Sequence, residues 1–110
     1  MKDFSGRVAL ITGAAGGIGS AVATALHRRG ALIVLVDLES SDVDSIARGL
    51  GVNRVVVAHA DVTRREQLGA AVDAAIFTFG RLDVAFANAG STVVQRRRPS
   101  NRRLTGFSRR

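Results

Sequence analysis

Four short apolar runs, each separated from the next by a stretch of helical period, constrain this 110-residue chain more than any other feature. Residues 8–11 (Val-Ala-Leu-Ile) and 32–36 are continuous rather than alternating, as expected of strands covered on both faces, and 54–58 and 82–87 read as the third and fourth strands. Between them lie stretches with apolar residues three and four apart. Ile18, Val22, Ala25 and Leu26 lead to a stop at Gly30, and Val43, Ile46, Ala47 and Leu50 follow a helix start at Ser41. Leu68, Ala71, Val72, Ala75, Ile76 and Phe79 follow a capping-box pattern, Thr63 with Glu66, and end at Gly80. No hairpin signal joins any two of the runs, so each strand must return through a helix and pair in parallel. The predicted fold is α/β, a partial Rossmann arrangement: a doubly wound parallel sheet of order βαβαβαβ with about four strands.

Residue 90 divides the chain in two. The formal charge is +7, but residues 91–110 hold seven arginines and no acid, leaving nine basic residues against all nine acids in residues 1–90. The tail has no apolar period from Gln95 onward and is expected to be disordered. Residues 1–90 are read as a nucleotide-binding half-domain and 91–110 as an arginine-rich tail. With no helix expected after the fourth strand, that strand is expected to form an open edge, available for pairing with another chain, and the isolated monomer to be marginally stable. The chain has no cysteine, which excludes disulfides and thiolate metal sites. Neither a signal-peptide layout nor a membrane-length apolar run is present, so no membrane partner is expected and the cytoplasm is the expected compartment.

The turn Thr12-Gly13-Ala14-Ala15-Gly16-Gly17-Ile18-Gly19 joins the first strand to the first helix. Its residue types suit a pyrophosphate: Gly13 permits a tight turn off the strand, Gly17 lets an anion approach the backbone, and Gly19 allows the helix to pack closely on the sheet. The helix N-terminus offers unpaired N–H groups and the positive end of its dipole. Asp37 closes the second strand, 24 residues after Gly13. A carboxylate there can accept from both ribose hydroxyls of an adenosine and would repel a 2′-phosphate, while Ala14, Ala15 and Leu38 supply no cation. NAD is therefore favoured over NADP. His27 and His59 are too far apart in sequence to suggest a metal site, and no metal ligand set is assigned.

The spacing Thr-Gly-x-x-x-Gly-x-Gly resembles the cofactor fingerprint of the short-chain dehydrogenase/reductase family. Asp61-Val62 after the third strand is similar to that family's Asp-Val pair, and Asn88-Ala89-Gly90 after the fourth resembles its Asn-Asn-Ala-Gly motif, with Ala87 in place of the first asparagine. The resemblance covers residues 4–90. It implies that Gly13, Gly17 and Gly19, with Ile18 at the turn, line the pyrophosphate. It also implies that Asp37 holds the adenosine ribose, that Asp61 and Val62 hold the adenine, that Asn88 supports the central strands, and that Ala89 and Gly90 border the cofactor. The family's activity is NAD-dependent alcohol/carbonyl oxidoreduction, carried by a serine and a Tyr-x-x-x-Lys pair. This chain has no tyrosine, and Lys2 is its single lysine. It therefore reads as the nucleotide-binding front of such a protein, truncated or frame-shifted near residue 90, with no catalytic residue to assign. Two other readings compete: a non-catalytic binder of NAD or another adenine nucleotide, and, ranked below it, a nucleic-acid binder acting through the tail. The tail has a single aromatic, Phe107, for stacking, which weighs against nucleic acid as a partner.

Overall fold

A strand buried on both faces has to be apolar along its length, and Val8–Ile11 meets that demand: these four and Thr12, which ends the strand β1 (Val8–Thr12), are all buried. A computed structural model describes residues 4–51 and 53–88, together with the backbone course of 91–93. The elements run β1 (Val8–Thr12), α1 (Gly17–Arg28), β2 (Leu32–Asp37), α2 (Val43–Leu50), β3 (Val55–His59), α3 (Arg65–Phe79), β4 (Val84–Ala87) and β5 (Ser91–Val93). The sheet order is β3-β2-β1-β4-β5. β1 pairs in parallel with β2 from Val8↔Leu32 to Thr12↔Val36, and with β4 from Ala9↔Val84 to Thr12↔Ala87. The βαβαβαβ order expected from the apolar runs is therefore present.

Alternate residues of the central strands feed two separate cores. Ala9, Ile11, Ile33 and Leu35 face α1 and α2, where Ala23 and Val43 are fully buried against them. Val8, Leu10, Val34 and Val36 face α3 through Ala71, Val72 and Ala75. Each fully buried Val, Leu or Ile contributes roughly 1.5–3 kcal/mol relative to exposure, so both layers rest on the same two central strands.

β4 is pinned to β1 ahead of its first ladder pair. Asp83, only 5% exposed, accepts a hydrogen bond from the Val8 N–H through Oδ2 at 2.9 Å and is clasped by Arg81 through Nε at 2.9 Å and Nη2 at 2.8 Å. The strand proper accordingly begins at Val84, two residues later than the apolar run suggests. β3 is displaced similarly: Arg54 takes a φ of +68° and donates through its guanidinium to the His27 and Ala31 carbonyls, so regular pairing starts at Val55.

Three expectations are corrected. Ile18 is 66% exposed and Ala25 is exposed, so neither belongs to the buried face of α1. That face centres instead on Gly19 and Ala23, because the helix lies too close to the β1 turn for a large residue at its first contact. The Thr63–Glu66 capping box does not form: α3 has no side-chain cap, and the Thr63 hydroxyl donates to Asp61 Oδ1 at 2.6 Å. The carboxylate outcompetes the helix for Thr63 because a charged acceptor makes the stronger hydrogen bond. Finally, the edge of β4 is not open. Ser91–Val93 pairs with it antiparallel, Ala85↔Val93 to Ala87↔Ser91, which gives a fifth strand within the region expected to be tail. The remainder of that tail, residues 94–110, lies outside the described residues.

Among the described residues, no helix is long and apolar enough to cross a membrane.

Candidate functional site

All four parallel strands end on one side of the sheet, and the loops leaving them converge there. The connections leave β1 toward β2 and β3 on one flank and return to β4 on the other, so a crevice opens above β1 where the winding changes direction. A groove of about 260 Å3 occupies this position, lined by Thr12, Gly13, Asp37, Leu38, Ala60, Asp61, Val62, Thr63 and Asn88.

One wall is the turn after β1. Gly13 has a φ of +64°, a conformation glycine adopts without strain. The Gly16 N–H closes the turn on the Gly13 carbonyl at 3.1 Å, and the Ala14 N–H reaches back to the Val36 carbonyl at 3.3 Å. α1 starts at Gly17 with no side-chain cap and no acid in its first turn. The N–H groups of Gly17, Ile18 and Gly19 therefore have no intrahelical acceptor, and the positive end of the dipole carries no compensating side chain there.

The glycines of this turn answer to different constraints. A Cβ on Gly19 would stand 2.3 Å from the Gly13 carbonyl oxygen, and one on Gly13 would stand 3.1 Å from Asn88. A Cβ on Gly17 would meet nothing within 4 Å. The protein's own packing thus accounts for Gly13 and Gly19, whereas Gly17 leaves open space beside unpaired N–H groups. Gly17 stands exposed there, so a side chain at this position would stand in the path of an anion approaching those N–H groups.

Asp37 ends β2, and its carboxylate is divided between two backbone donors: Oδ2 accepts from the Ala15 N–H at 2.8 Å and Oδ1 from the Leu38 N–H at 2.7 Å. Asp61 follows β3. Its Oδ1 accepts from both the N–H (3.0 Å) and the hydroxyl (2.6 Å) of Thr63, while its own N–H donates to Gln67 Oε1 at 2.8 Å. The Thr63 hydroxyl, then its N–H, hold the Asp61 carboxyl below its ordinary value, with a smaller contribution from the charge of Arg64. The groove therefore presents a carboxylate at this point at neutral pH. Val62 lies against the core beneath it.

Asn88 follows β4 and turns toward the protein. Its N–H donates to Thr12 Oγ1 at 3.1 Å, and its side-chain amide donates to the Gly13 carbonyl at 3.3 Å. Thr12 Oγ1 in turn donates to the Phe86 carbonyl at 3.5 Å, so the hydroxyl bridges β1 and β4.

The groove brings Gly13, Asp37, Asp61, Val62 and Asn88 together. Gly17 and Ile18 stand exposed at the start of α1, and Gly19 is buried beneath the turn. Ala89 and Gly90 lie outside the described residues. Thr12, Leu38, Ala60 and Thr63 also line the groove, although the motifs assign them no role. Thr12 was within reach of sequence reasoning, since a buried hydroxyl at a strand end needs a partner. Neither His27 nor His59 lines the groove, and His59 Nε2 is 3.1 Å from Asp44 Oδ2.

Comparison with known proteins places the chain among relatives of one family. The family model described as short chain dehydrogenase matches residues 7–103. The chain is 38% identical over 109 residues to borneol dehydrogenase, mitochondrial, of Lavandula x intermedia, covering 99% of this chain and 41% of that protein. It is 35% identical over 108 residues to secoisolariciresinol dehydrogenase of Forsythia intermedia, covering 98% and 39% respectively. Among solved structures, it resembles a 3-ketoacyl-(acyl-carrier-protein) reductase from Brucella melitensis complexed with NADH. The TM-score is 0.69 at 34% identity, over 74% of this chain and 33% of that one. The chain thus spans about two-fifths of the length of these curated relatives.

Proposed function

The chain belongs to the short chain dehydrogenase family, and on that premise we propose that its groove holds the adenosine diphosphate part of NAD. The observation that carries this reading is the uncapped, acid-free start of α1, which follows directly on the turn that lines the groove at Gly13. In this reading the N–H groups of Gly17, Ile18 and Gly19 hold the pyrophosphate, Asp37 accepts from the adenosine ribose hydroxyls, and Asp61 with Val62 borders the adenine. Asn88, in the groove's lining, fixes the Gly13 carbonyl and hence the shape of the turn. Ala89 and Gly90 are assigned to the same border by motif alone.

NAD rather than NADP follows from charge. A 2′-phosphate would have to sit against the Asp37 carboxylate, and the nearest turn residues, Ala14, Ala15 and Leu38, carry no cation. The solved relative complexed with NADH is in keeping with this choice.

NAD when bound supplies a hydride acceptor. Alcohol oxidation also needs a group that removes a proton from the reacting oxygen, and the 110 residues contain no tyrosine and a single lysine, Lys2. The chain by itself is accordingly proposed to bind the dinucleotide without turning it over.

Calorimetric titration with NAD, NADP and ADP tests the binding. NAD and ADP are expected to bind comparably, and NADP at least about tenfold more weakly, as one unscreened like-charge contact implies. Failure of all three to bind removes the reading, and equal affinity for NAD and NADP removes the preference. NADH formation from NAD and a panel of alcohols by the purified chain would contradict the inactivity.

A further inference from the structure

We propose that Asp37 is a positioning residue for the glycine turn, holding it in anion-binding shape before any nucleotide arrives. The contact that carries this is the 2.8 Å hydrogen bond from the Ala15 N–H to Asp37 Oδ2, across 22 residues of sequence.

The turn is tethered at several points. Ala14 N–H to the Val36 carbonyl is 3.3 Å, Gly16 N–H to the Gly13 carbonyl is 3.1 Å, and the Asn88 amide to the Gly13 carbonyl is 3.3 Å. All three join neutral groups. The Ala15–Asp37 bond is shorter than each of them and has a charged acceptor, which makes it about twice as strong as a neutral pair. It acts on the residue two places before α1, so it fixes the direction in which the first N–H groups of that helix point.

The arithmetic of the carboxylate links this role to ligand binding. An ionised carboxylate offers about four acceptor directions, two on each oxygen. Ala15 uses one on Oδ2 and Leu38 uses one on Oδ1. One direction remains on each oxygen, matching in number the two vicinal hydroxyls of a ribose. The turn and the ribose can therefore share the group without displacing each other, and each ordered partner favours binding of the other. Substituting Asp37 should then weaken the hold on phosphate even in a ligand that lacks ribose hydroxyls.

Two measurements test this, and only the second rests on the nucleotide-binding reading. The first is amide hydrogen exchange on the ligand-free chain. Ala15 is expected to exchange at least about tenfold faster in Asp37→Ala than in the original chain, as loss of one charge-assisted hydrogen bond implies. It should stay near the original rate in Asp37→Asn, whose amide oxygen can still accept, while Leu10 and Val34 report an intact core. If Asp37→Ala loses core protection, Asp37→Ser replaces it, its hydroxyl being too short to span to Ala15. Equal Ala15 exchange in the original chain and the non-accepting variant overturns the proposal, whatever the chain binds.

The second measurement titrates 2′,3′-dideoxy-ADP, which has no ribose hydroxyl to offer. Its affinity is expected to fall about tenfold in Asp37→Ala and to recover to within about threefold of the original in Asp37→Asn. If the original chain prefers ADP to the dideoxy compound but Asp37→Ala leaves dideoxy-ADP binding unchanged, Asp37 serves the ribose alone. That result overturns the positioning role and leaves the proposed function standing.

Discussion

Replacing Gly17 with alanine should strengthen the fold and weaken the site, and the two effects can be measured separately. Nothing lies within 4 Å of the added methyl in the ligand-free chain, and Gly17 has none of the positive φ angles that mark Gly13. As the first residue of α1, it should accept alanine without strain. The main effect on stability is then the lower backbone entropy of the unfolded chain, worth roughly 0.4–1 kcal/mol. For a domain of this size that raises the thermal midpoint by about 2–8 °C. The same methyl occupies the space through which phosphate oxygens would reach the first N–H groups. Loss of one hydrogen bond between an N–H and a charged oxygen costs about 1.5–3 kcal/mol, or about 10- to 150-fold in affinity. Circular-dichroism melts without ligand give the first number and calorimetric titration with ADP the second. A variant that melts higher yet binds ADP as tightly as the original chain refutes the placement of the phosphates at Gly17. A lower midpoint instead refutes the claim that the space there is open.

Gly19→Ala should act in the opposite sense, because its Cβ would stand 2.3 Å from the Gly13 carbonyl oxygen; a cost of about 1–3 kcal/mol is expected in urea unfolding, and an unchanged midpoint would count against the close approach of α1. Asp83→Ala removes the acceptor of the buried Val8 N–H and the partner of Arg81. It should cost about 1–3 kcal/mol in the same assay, and a neutral result would show that water or backbone movement replaces the carboxylate. Thr63→Val should return the Asp61 carboxyl part of the way toward its ordinary value of 3.8, since the Thr63 hydroxyl is the largest of the causes that lower it while the N–H of residue 63 and the charge of Arg64 remain. The contribution of Asp61 to stability is present above that ordinary value and is lost as pH falls through the lower folded one; identical carboxyl titrations by NMR in the two chains would contradict this.

The parallel sheet was legible because its strands are covered on both faces, which leaves a run such as Leu32–Asp37 apolar at nearly every position. Where the structure departs from the sequence reading, a local polar contact outcompetes a pattern. Asp83 delays β4, the Arg54 guanidinium delays β3, and Asp61 draws Thr63 away from α3. Ile18 fits the apolar period, but the period cannot show that Gly19 and Ala23 bring the helix too close to the sheet for a larger side chain beside them. β5 did carry a signal: three residues ending in glycine separate Ala87 from Ser91, which the β-branched Thr92 and Val93 follow, a spacing compatible with a hairpin. In the groove, Gly13 and Asp37 could be picked out by residue type. The Ala15–Asp37 bond could not, because nothing in a sequence says which backbone N–H faces a carboxylate 22 residues away.

The polarity of the groove narrows the class of molecule that can lie in it. The turn from Gly13, which lines the groove, leads into the start of α1, an uncapped set of N–H donors with no acid in the first turn. Farther along stand two carboxylates, Asp37 and Asp61, with no arginine or lysine among the lining residues. A ligand that is anionic throughout would gain at the helix and lose at both carboxylates, and one that is cationic throughout would do the reverse. The arrangement favours a molecule with phosphates at one end and hydroxyl or amino donors at the other, as the proposed nucleotide has. β4 contributes to this indirectly. Asp83 ties it to β1 ahead of the first ladder pair, and Asn88 ties it to the Gly13 carbonyl beyond the last, so the strand holds the turn in place. The charge pattern and the tethering converge on the same turn, and for that reason a single methyl at Gly17 is the sharpest probe of both.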